Sequence, residues 1–165
     1  GQSRSLERLR TAIAEGESAG LAVADLDESR RLLWAEERQV SAAASLEVAA
    51  AAQQVNVSML QAALLEAEDA GVWEAGLEAA RAVLAAEERK VLARSSLALA
   101  CTSAATSAAA VGDGESSAEL DAEAAVTQLR LALVEGERAG LGLEELGSGR
   151  MVLKEGERRL GALMA

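Results

Sequence analysis

Pairs of carboxylates are the residues of this chain best suited to chemistry. Glu15 and Glu17 stand two residues apart, and the same pair recurs as Glu66 with Glu68 and as Glu135 with Glu137. Such pairs could bind a divalent cation or transfer a proton. Each pair lies in the last turns of a predicted helix, where the helix dipole disfavours anions. A positive partner is therefore expected nearby.

An arginine follows every carboxylate pair at the same spacing, as Arg30, Arg81 and Arg150. We predict that each arginine reaches back across a hairpin turn and forms a salt bridge with its pair. One chain rarely needs an active site three times, whereas an architectural contact is needed in every repeat. The repetition therefore favours a structural role over a catalytic or metal-binding one.

Nucleophiles and nitrogen bases are scarce. The chain has no His, which removes the commonest general base and metal ligand, and its one cysteine, Cys101, permits no internal disulfide. We expect Cys101 to be buried among Ala and Leu. A reactive thiol would require a basic neighbour or a helix N-terminus, and the sequence shows neither. Catalysis would rest on carboxylates, Ser, Lys or this thiol. We predict a protein that is not an enzyme and has no cofactor and no metal site.

Two loop-like segments resemble ligand sites at first sight. Glycines at positions 140, 142, 147 and 149 suggest a phosphate loop, but that motif requires a preceding strand, and a helical pattern precedes this one. Asp113 and Glu115 lack the alternating ligands of a calcium-binding loop. We interpret the first segment as a looser third hairpin and the second as a polar turn within a loop at 112–116.

Five residues are candidates for contact with a partner protein. Trp34 and Trp73 are the only aromatic residues, and Trp is enriched at binding hot spots. Either could instead fill a core; Trp73, near a predicted hairpin tip, is expected to be the more exposed. Glu37, Glu88 and Arg89 belong to a Glu-Arg pair that recurs in each repeat. A solvated helix face is the alternative explanation for that pair.

Charge and hydropathy restrict the class of partner. The net charge of −11 argues against nucleic acid, whose phosphates require clustered Lys and Arg. Residues 95–112 carry no charge, but Ala, Ser and Thr dominate them. We therefore predict a buried or partner-covered helix there rather than a membrane span. Other protein subunits are the expected partners, and association with a membrane complex or with a second copy stays open.

The elements that position these residues follow from an internal repeat. Pro is absent, which is typical of long helices. Segments beginning at Leu9, Leu60 and Leu129 match without gaps, at offsets of 51 (60 − 9) and 69 (129 − 60). Each reads as helix, glycine turn, helix, with the turn at Gly20, Gly71 or Gly140. The sequence predicts an all-α fold of three αα-hairpins, forming a bundle or a short irregular array.

We predict a single helical-repeat domain over 1–165, with hairpins at about 6–39, 57–94 and 117–163. Alanine-rich spacers at about 40–56 and 95–111 should continue the second helices of the first two hairpins, because Ala is the best helix former. Capping boxes are expected at Asp25 with Glu28, Ser58 with Gln61, and Ser116 with Glu119. Leucine and valine at a spacing of seven predict a coiled-coil-like seam on each second helix, which could also support a self-associating bundle. These seams are Leu26, Leu33 and Val40; Leu77, Leu84 and Val91; Leu146, Leu153 and Leu160.

The middle hairpin carries the clearest pattern, Leu-x2-Ala-Leu-x-Glu-Ala-Glu-x-Ala-Gly-Val from Leu60, then Leu-x2-Ala-Arg-x2-Leu-x2-Glu-Glu-Arg to Arg89. It resembles alanine-rich helical-hairpin repeats of dinoflagellate and other algal proteins. The resemblance covers the three hairpins and implies an accessory structural role without site residues. We expect a scaffold or linker inside a larger assembly, in one form an intracellular peripheral subunit of a plastid photosystem–antenna complex. A homo-oligomeric bundle and a pigment-associated accessory protein are the alternatives.

Overall fold

The computed structural model describes residues 2–110 and 116–163, and the chain is all-α, as predicted. This described part contains six α-helices and no strand. The helices pair in chain order as hairpin 1, hairpin 2 and hairpin 3. Their bounds are α1 Gln2–Ser18, α2 Val23–Ala51, α3 Val57–Asp69, α4 Glu74–Ala110, α5 Ser116–Ala139 and α6 Leu143–Leu163.

The hairpin turns close as the repeated glycine predicts. Gly20, Gly71 and Gly140 have φ of 79°, 71° and 81°, which is the left-handed region that side chains with a Cβ avoid. In hairpin 1 the Gly20 N–H donates to the Glu17 carbonyl, and the Leu21 N–H donates to the Gly16 carbonyl. The matching bonds recur in the other two hairpins. This is the Schellman arrangement, which satisfies the last carbonyls of the first helix.

The alanine-rich segments continue the second helices, which confirms that expectation. Helix α2 runs to Ala51 and α4 to Ala110. The position matching Ala51 in the next repeat is Thr102 (51 + 51), so α4 is longer by eight residues (110 − 102). The position matching Val57 is Val126 (57 + 69), so α5 begins ten residues earlier (126 − 116). These two extensions account for the larger second offset (69 − 51 = 18).

Two of the three predicted capping boxes are wrong. Helix α2 begins at Val23 after Ala22, which makes no side-chain cap, so Asp25 lies within the first turn. Helix α3 is capped by Asn56, whose side chain accepts from the Met59 N–H, and not by Ser58. Asn56 competes successfully because an extended residue just before the helix points its oxygen at the free N–H groups. The side chains of Ser116 and Glu119 lie outside the described residues, as does the predicted loop at 112–116 except for Ser116, which is the first residue of α5.

The chain forms two compact units, Gly1–Ala85 and Ala86–Ala165. In the first unit, α1 packs on α2, and the later part of α2 packs on hairpin 2. The core of that second layer is one cluster from α2, α3 and the start of α4. Its buried members are Ala42, Leu46, Leu60, Leu64, Ala67, Leu77 and Ala80. The side-chain amide of Gln39 also donates to the Gly71 carbonyl, which ties α2 to the turn of hairpin 2.

The second unit repeats this arrangement with the later part of α4 and hairpin 3. Its core joins α4, α5 and α6, and its buried members are Ala93, Leu97, Ala100, Ala104, Ala125, Leu129, Ala132, Leu133, Leu141 and Leu146. Ala42 and Leu46 match Ala93 and Leu97 at an offset of 51, and all four are buried. The segments predicted as spacers therefore supply core residues, and each long helix covers the hairpin that follows it.

The heptad-spaced seam and the cysteine are less buried than expected. Leu26, Leu77 and Leu146 are buried, but the later seam positions are only partly buried and Val91 is exposed. In hairpins 1 and 2 the first helix is shorter than the second, whereas in hairpin 3 α5 is the longer helix, so helix length alone does not explain the partial burial of the seam. Cys101, predicted to be buried, is only partly buried beside the second core. Desolvation raises the pKa of its thiol, so the reactive thiolate is disfavoured.

Candidate interaction surfaces

One member of each carboxylate pair forms the salt bridge that the repeated arginine predicts. Arg30 contacts Glu17 at 2.7 Å, and Arg81 with Glu68 and Arg150 with Glu137 are each at 2.6 Å. All three bridges join the two helices of one hairpin across the turn. The side chains involved are between 38 and 52% exposed, so each bridge contributes little to stability. Each contact joins the end of the first helix to the second helix of the same hairpin.

The second recurring Glu-Arg pair also takes part in contacts within the hairpins. Glu37 accepts from Arg10 at 2.8 Å, and the matching Glu157 accepts from Arg130 at 2.6 Å. Hairpin 2 has Gln61 where the others have arginine, opposite Glu88. Arg89 lies at the edge of a shallow groove in the second unit. Glu37 is thus bound within its own hairpin, and partner contact by Glu37, Glu88 or Arg89 stays a prediction.

Both tryptophans are on the surface. Trp34 is 64% exposed and Trp73 is 71% exposed, so neither side chain fills a core. The Arg38 guanidinium lies 5.8 Å from the centre of the Trp34 ring, a cation–π contact that holds this ring on α2. Trp73 stands in the turn of hairpin 2, directly before α4. Trp is enriched among the residues that anchor protein interfaces, so both exposed indoles stay candidates for partner contact.

Trp73 borders an open groove in the first unit, which we call the Trp73 groove. Its volume is about 650 Å³, and it lies between the later part of α2 and the start of α4. Apart from Glu47, its lining consists of apolar side chains and one glycine. The lining residues are Ala43, Leu46, Glu47, Ala50, Ala51, Val72, Trp73, Gly76, Ala79, Ala80 and Val83. Sequence reasoning identified Trp73 but missed the groove, because its other residues are mostly alanines.

Two carboxylates of the second unit have lowered pKa values. Hydrogen bonds from Arg158 and Arg159 lower the pKa of Glu155 from 4.5 to about 2. The Arg94 side chain and the Gly142 N–H lower the pKa of Glu145. Both carboxylates are therefore anions held by arginine, which is the electrostatic state of a structural ion pair and unlike that of a general acid.

Within residues 2–110 and 116–163, no group of three or more Asp, Glu or Cys side chains is arranged to hold a metal ion. No helix in that part of the chain is long and apolar enough to cross a membrane, the uncharged stretch of α4 included. Comparison of the chain with protein-family models, with curated proteins and with solved structures finds no match.

Proposed function

We propose that this chain is a non-catalytic scaffold or linker subunit that holds other proteins together in a larger assembly. The observation that carries the proposal is the Trp73 groove, where an indole, Leu46 and several alanines form an open apolar surface. Exposed apolar surface of this kind marks protein interaction sites on folded proteins. A groove of about 610 Å³ on the other side of α2, beside Val48 and Met59, adds to that surface.

The architecture supports the same role. The cores of hairpins 2 and 3 are each completed by the long helix that precedes the hairpin, an arrangement typical of repeat proteins that bind partners along their surface. Large apolar side chains are exposed on several helices, among them Val48, Leu65, Leu99, Leu131 and Met151. A partner that covered them would stabilise the chain by mass action.

The resemblance to algal hairpin repeats suggests one concrete assembly. It supports a peripheral subunit of a plastid photosystem–antenna complex, with this chain bridging other subunits. The net charge of −11 fits a protein that binds a basic subunit surface through complementary charge.

The test combines solution mass with reconstitution. The isolated chain is measured by light scattering and circular dichroism, then mixed with solubilised native complexes and resolved by size exclusion. The scaffold role predicts that the chain co-elutes with one defined complex in fixed stoichiometry. A stable homo-oligomer that ignores every complex would contradict the proposal and favour the self-associating bundle. Visible absorbance that stays with the purified chain would instead favour the pigment-associated alternative.

A further inference from the structure

The repeat allows the two units to be compared position by position around the Trp73 groove. In the second unit the matching space lies between α4 and α6. There Arg94 occupies the position of Ala43, and Glu145 occupies the position of Gly76. The two side chains meet at 2.6 Å and form an ion pair that joins these helices. Gly142, which carries no side chain, stands in place of Trp73.

The helices of the second unit also pack closely at this place. A Cβ at Gly149 would lie 2.9 Å from Leu97 Cδ1, so the glycine is needed for the close approach of α4 and α6. The matching residue in the first unit is Ala80, which is buried. The open groove is therefore a departure from the repeat, made by Ala43, Gly76 and Trp73, and does not follow from the hairpin design.

We propose that the Trp73 groove binds an amphipathic helix of a partner protein that carries Lys or Arg beside its apolar face. This inference rests on the proposed scaffold role and specifies the chemistry of one partner. The length of the groove suits a short helix. Ala43 to Ala51 spans about 12 Å along α2, and Trp73 to Val83 spans about 15 Å along α4. Two to three helical turns of a partner fill that length.

The lining favours a helix as the occupant. Leu46 and Ala80 are almost fully buried at the floor of the groove, and the alanines of both walls let another helix backbone approach closely. Leucine-sized side chains spaced i, i+4 and i+7 would enter between the walls, as in other helix-in-groove complexes. Trp73, at one end, would cover the last turn of the bound helix.

The charge around the groove selects a basic partner. Residues 39–85 contain six carboxylates, at Glu47, Glu66, Glu68, Asp69, Glu74 and Glu78. They contain one Lys or Arg, namely Arg81, which is already bound by Glu68 and Glu74 at 2.6 Å each. Arg38, just before this range, lies 3.9 Å from Asp69, so Glu47 in the groove lining and the nearby Glu78 supply the negative charge that a partner would meet. An acidic helix would be repelled, and a second copy of this chain would bring the same negative surface. A helix with Lys or Arg beside its apolar stripe is complementary.

The test uses the full chain with Trp34→Phe, so that Trp73 is the only indole. The probe is a synthetic helical peptide of leucine and lysine, about three turns long, with leucines at i, i+4 and i+7. We expect saturable 1:1 binding, with the emission of Trp73 shifted to the blue. The same peptide with glutamate in place of lysine should bind at least tenfold more weakly.

The decisive variant, Ala43→Arg with Gly76→Glu, introduces at the groove the two residues that form the ion pair at the matching positions of the second unit. It leaves the net charge unchanged, so non-specific attraction of the lysine peptide is preserved. A Cβ at Gly76 would have only Val72 Cγ1 nearby, at 3.9 Å, so the glutamate has space. We expect at least a tenfold loss of affinity. The control, Thr11→Arg with Ala14→Glu on an exposed face of α1, keeps the charge and should bind within twofold of the parent.

A second blocking variant distinguishes loss of the groove from loss of the fold. Ala79→Leu adds bulk to the exposed wall of the groove without charge and should also lower the affinity, with helical circular dichroism retained. Equal binding to the parent and to both blocking variants would overturn the inference, as would equal binding of the glutamate peptide or no binding of the lysine peptide. In each of these cases, co-elution with a native complex would still support the scaffold role, so the two proposals can fail separately.

Discussion

Leu60, Leu129 and Leu9 occupy one position of the repeat, and truncating them to alanine should have unequal effects. Leu60 and Leu129 are 0% exposed, because each is covered by the long helix that precedes its hairpin. Leu9 is only partly buried, in a helix whose described packing partner is α2. The comparison holds residue type and repeat position constant and varies only the covering helix.

The expected cost follows from burial. Leu→Ala removes three carbons, which is about 2.4 kcal/mol of transfer free energy at about 0.8 kcal/mol for each buried group. The cavity adds to this, since the surrounding alanines, such as Ala42 and Ala67 near Leu60, cannot rotate into the space. We expect Leu60→Ala and Leu129→Ala to lower the free energy of unfolding by about 3–5 kcal/mol. Leu9→Ala should lower it by about 1 kcal/mol, as for a partly exposed leucine.

Urea denaturation followed by circular dichroism measures the cost, and hydrogen exchange with mass spectrometry locates it. Leu60→Ala should raise exchange in α3 and the later part of α2, and Leu129→Ala should raise it in α5 and α6. An equal cost at all three leucines would refute the reasoning, since it would mean that the preceding long helix does not cover the hairpin that follows it.

Three further predictions concern the turns and the ion pairs. Gly71→Ala should lower the free energy of unfolding by about 1–2 kcal/mol in urea denaturation, because Gly71 has a φ of 71° that strains a residue with a Cβ. No atom lies within 4 Å of the new Cβ, so the loss comes from the backbone alone. Gly71→Asn should lower the free energy of unfolding much less, since Asn tolerates this conformation. A double-mutant cycle on Arg150→Gln and Glu137→Gln should give a coupling of about 0.2–1 kcal/mol that falls in 0.5 M salt, and a larger, salt-independent value would contradict an exposed bridge. Hydrogen bonds from Arg158, and to a lesser extent from Arg159, lower the pKa of Glu155 to about 2. The contribution of the Glu155 carboxylate to stability is therefore present above about pH 4.5 and disappears as the pH falls towards 2. Carboxyl NMR should find that value and a higher one after Arg158→Gln; an ordinary pKa in the parent chain would refute the contact.

Much of the fold could be predicted because the determining residues have few substitutes. A left-handed residue at a helix end is nearly always glycine, so Gly20, Gly71 and Gly140 locate the turns. The spacing of Glu17 and Arg30, repeated twice, places both side chains across one turn. These features depend on residues close together in the chain, and the repeat shows each of them three times.

The remaining features depend on contacts that alanine does not reveal. Ala42 and Leu46 recur as Ala93 and Leu97, and this recurrence would have shown that the alanine-rich segments belong to the repeat. The Trp73 groove exists because Ala43 lacks the bulk of its counterpart Arg94; the repeat shows this difference, but only the packing of α2 against α4 shows that it leaves an open space. The cap of α3 was missed because Ser58 with Gln61 fits the capping box, whereas Asn56 is followed three residues later by Met59 and caps the helix through its own side chain alone.

Photo-crosslinking from the rim of the Trp73 groove tests whether a basic, amphipathic helix of a partner binds there. Ala75 is exposed beside Trp73, and Ala14 is exposed on α1, away from the groove lining. Each is replaced in turn, Ala75→p-benzoylphenylalanine and Ala14→p-benzoylphenylalanine, and the full chain is irradiated with solubilised native complexes. We expect a cross-link from position 75 to one basic, amphipathic helix of a single protein, and much weaker cross-linking from position 14. Equal labelling from both positions, or none from position 75 while the chain co-elutes with a complex, would contradict this expectation.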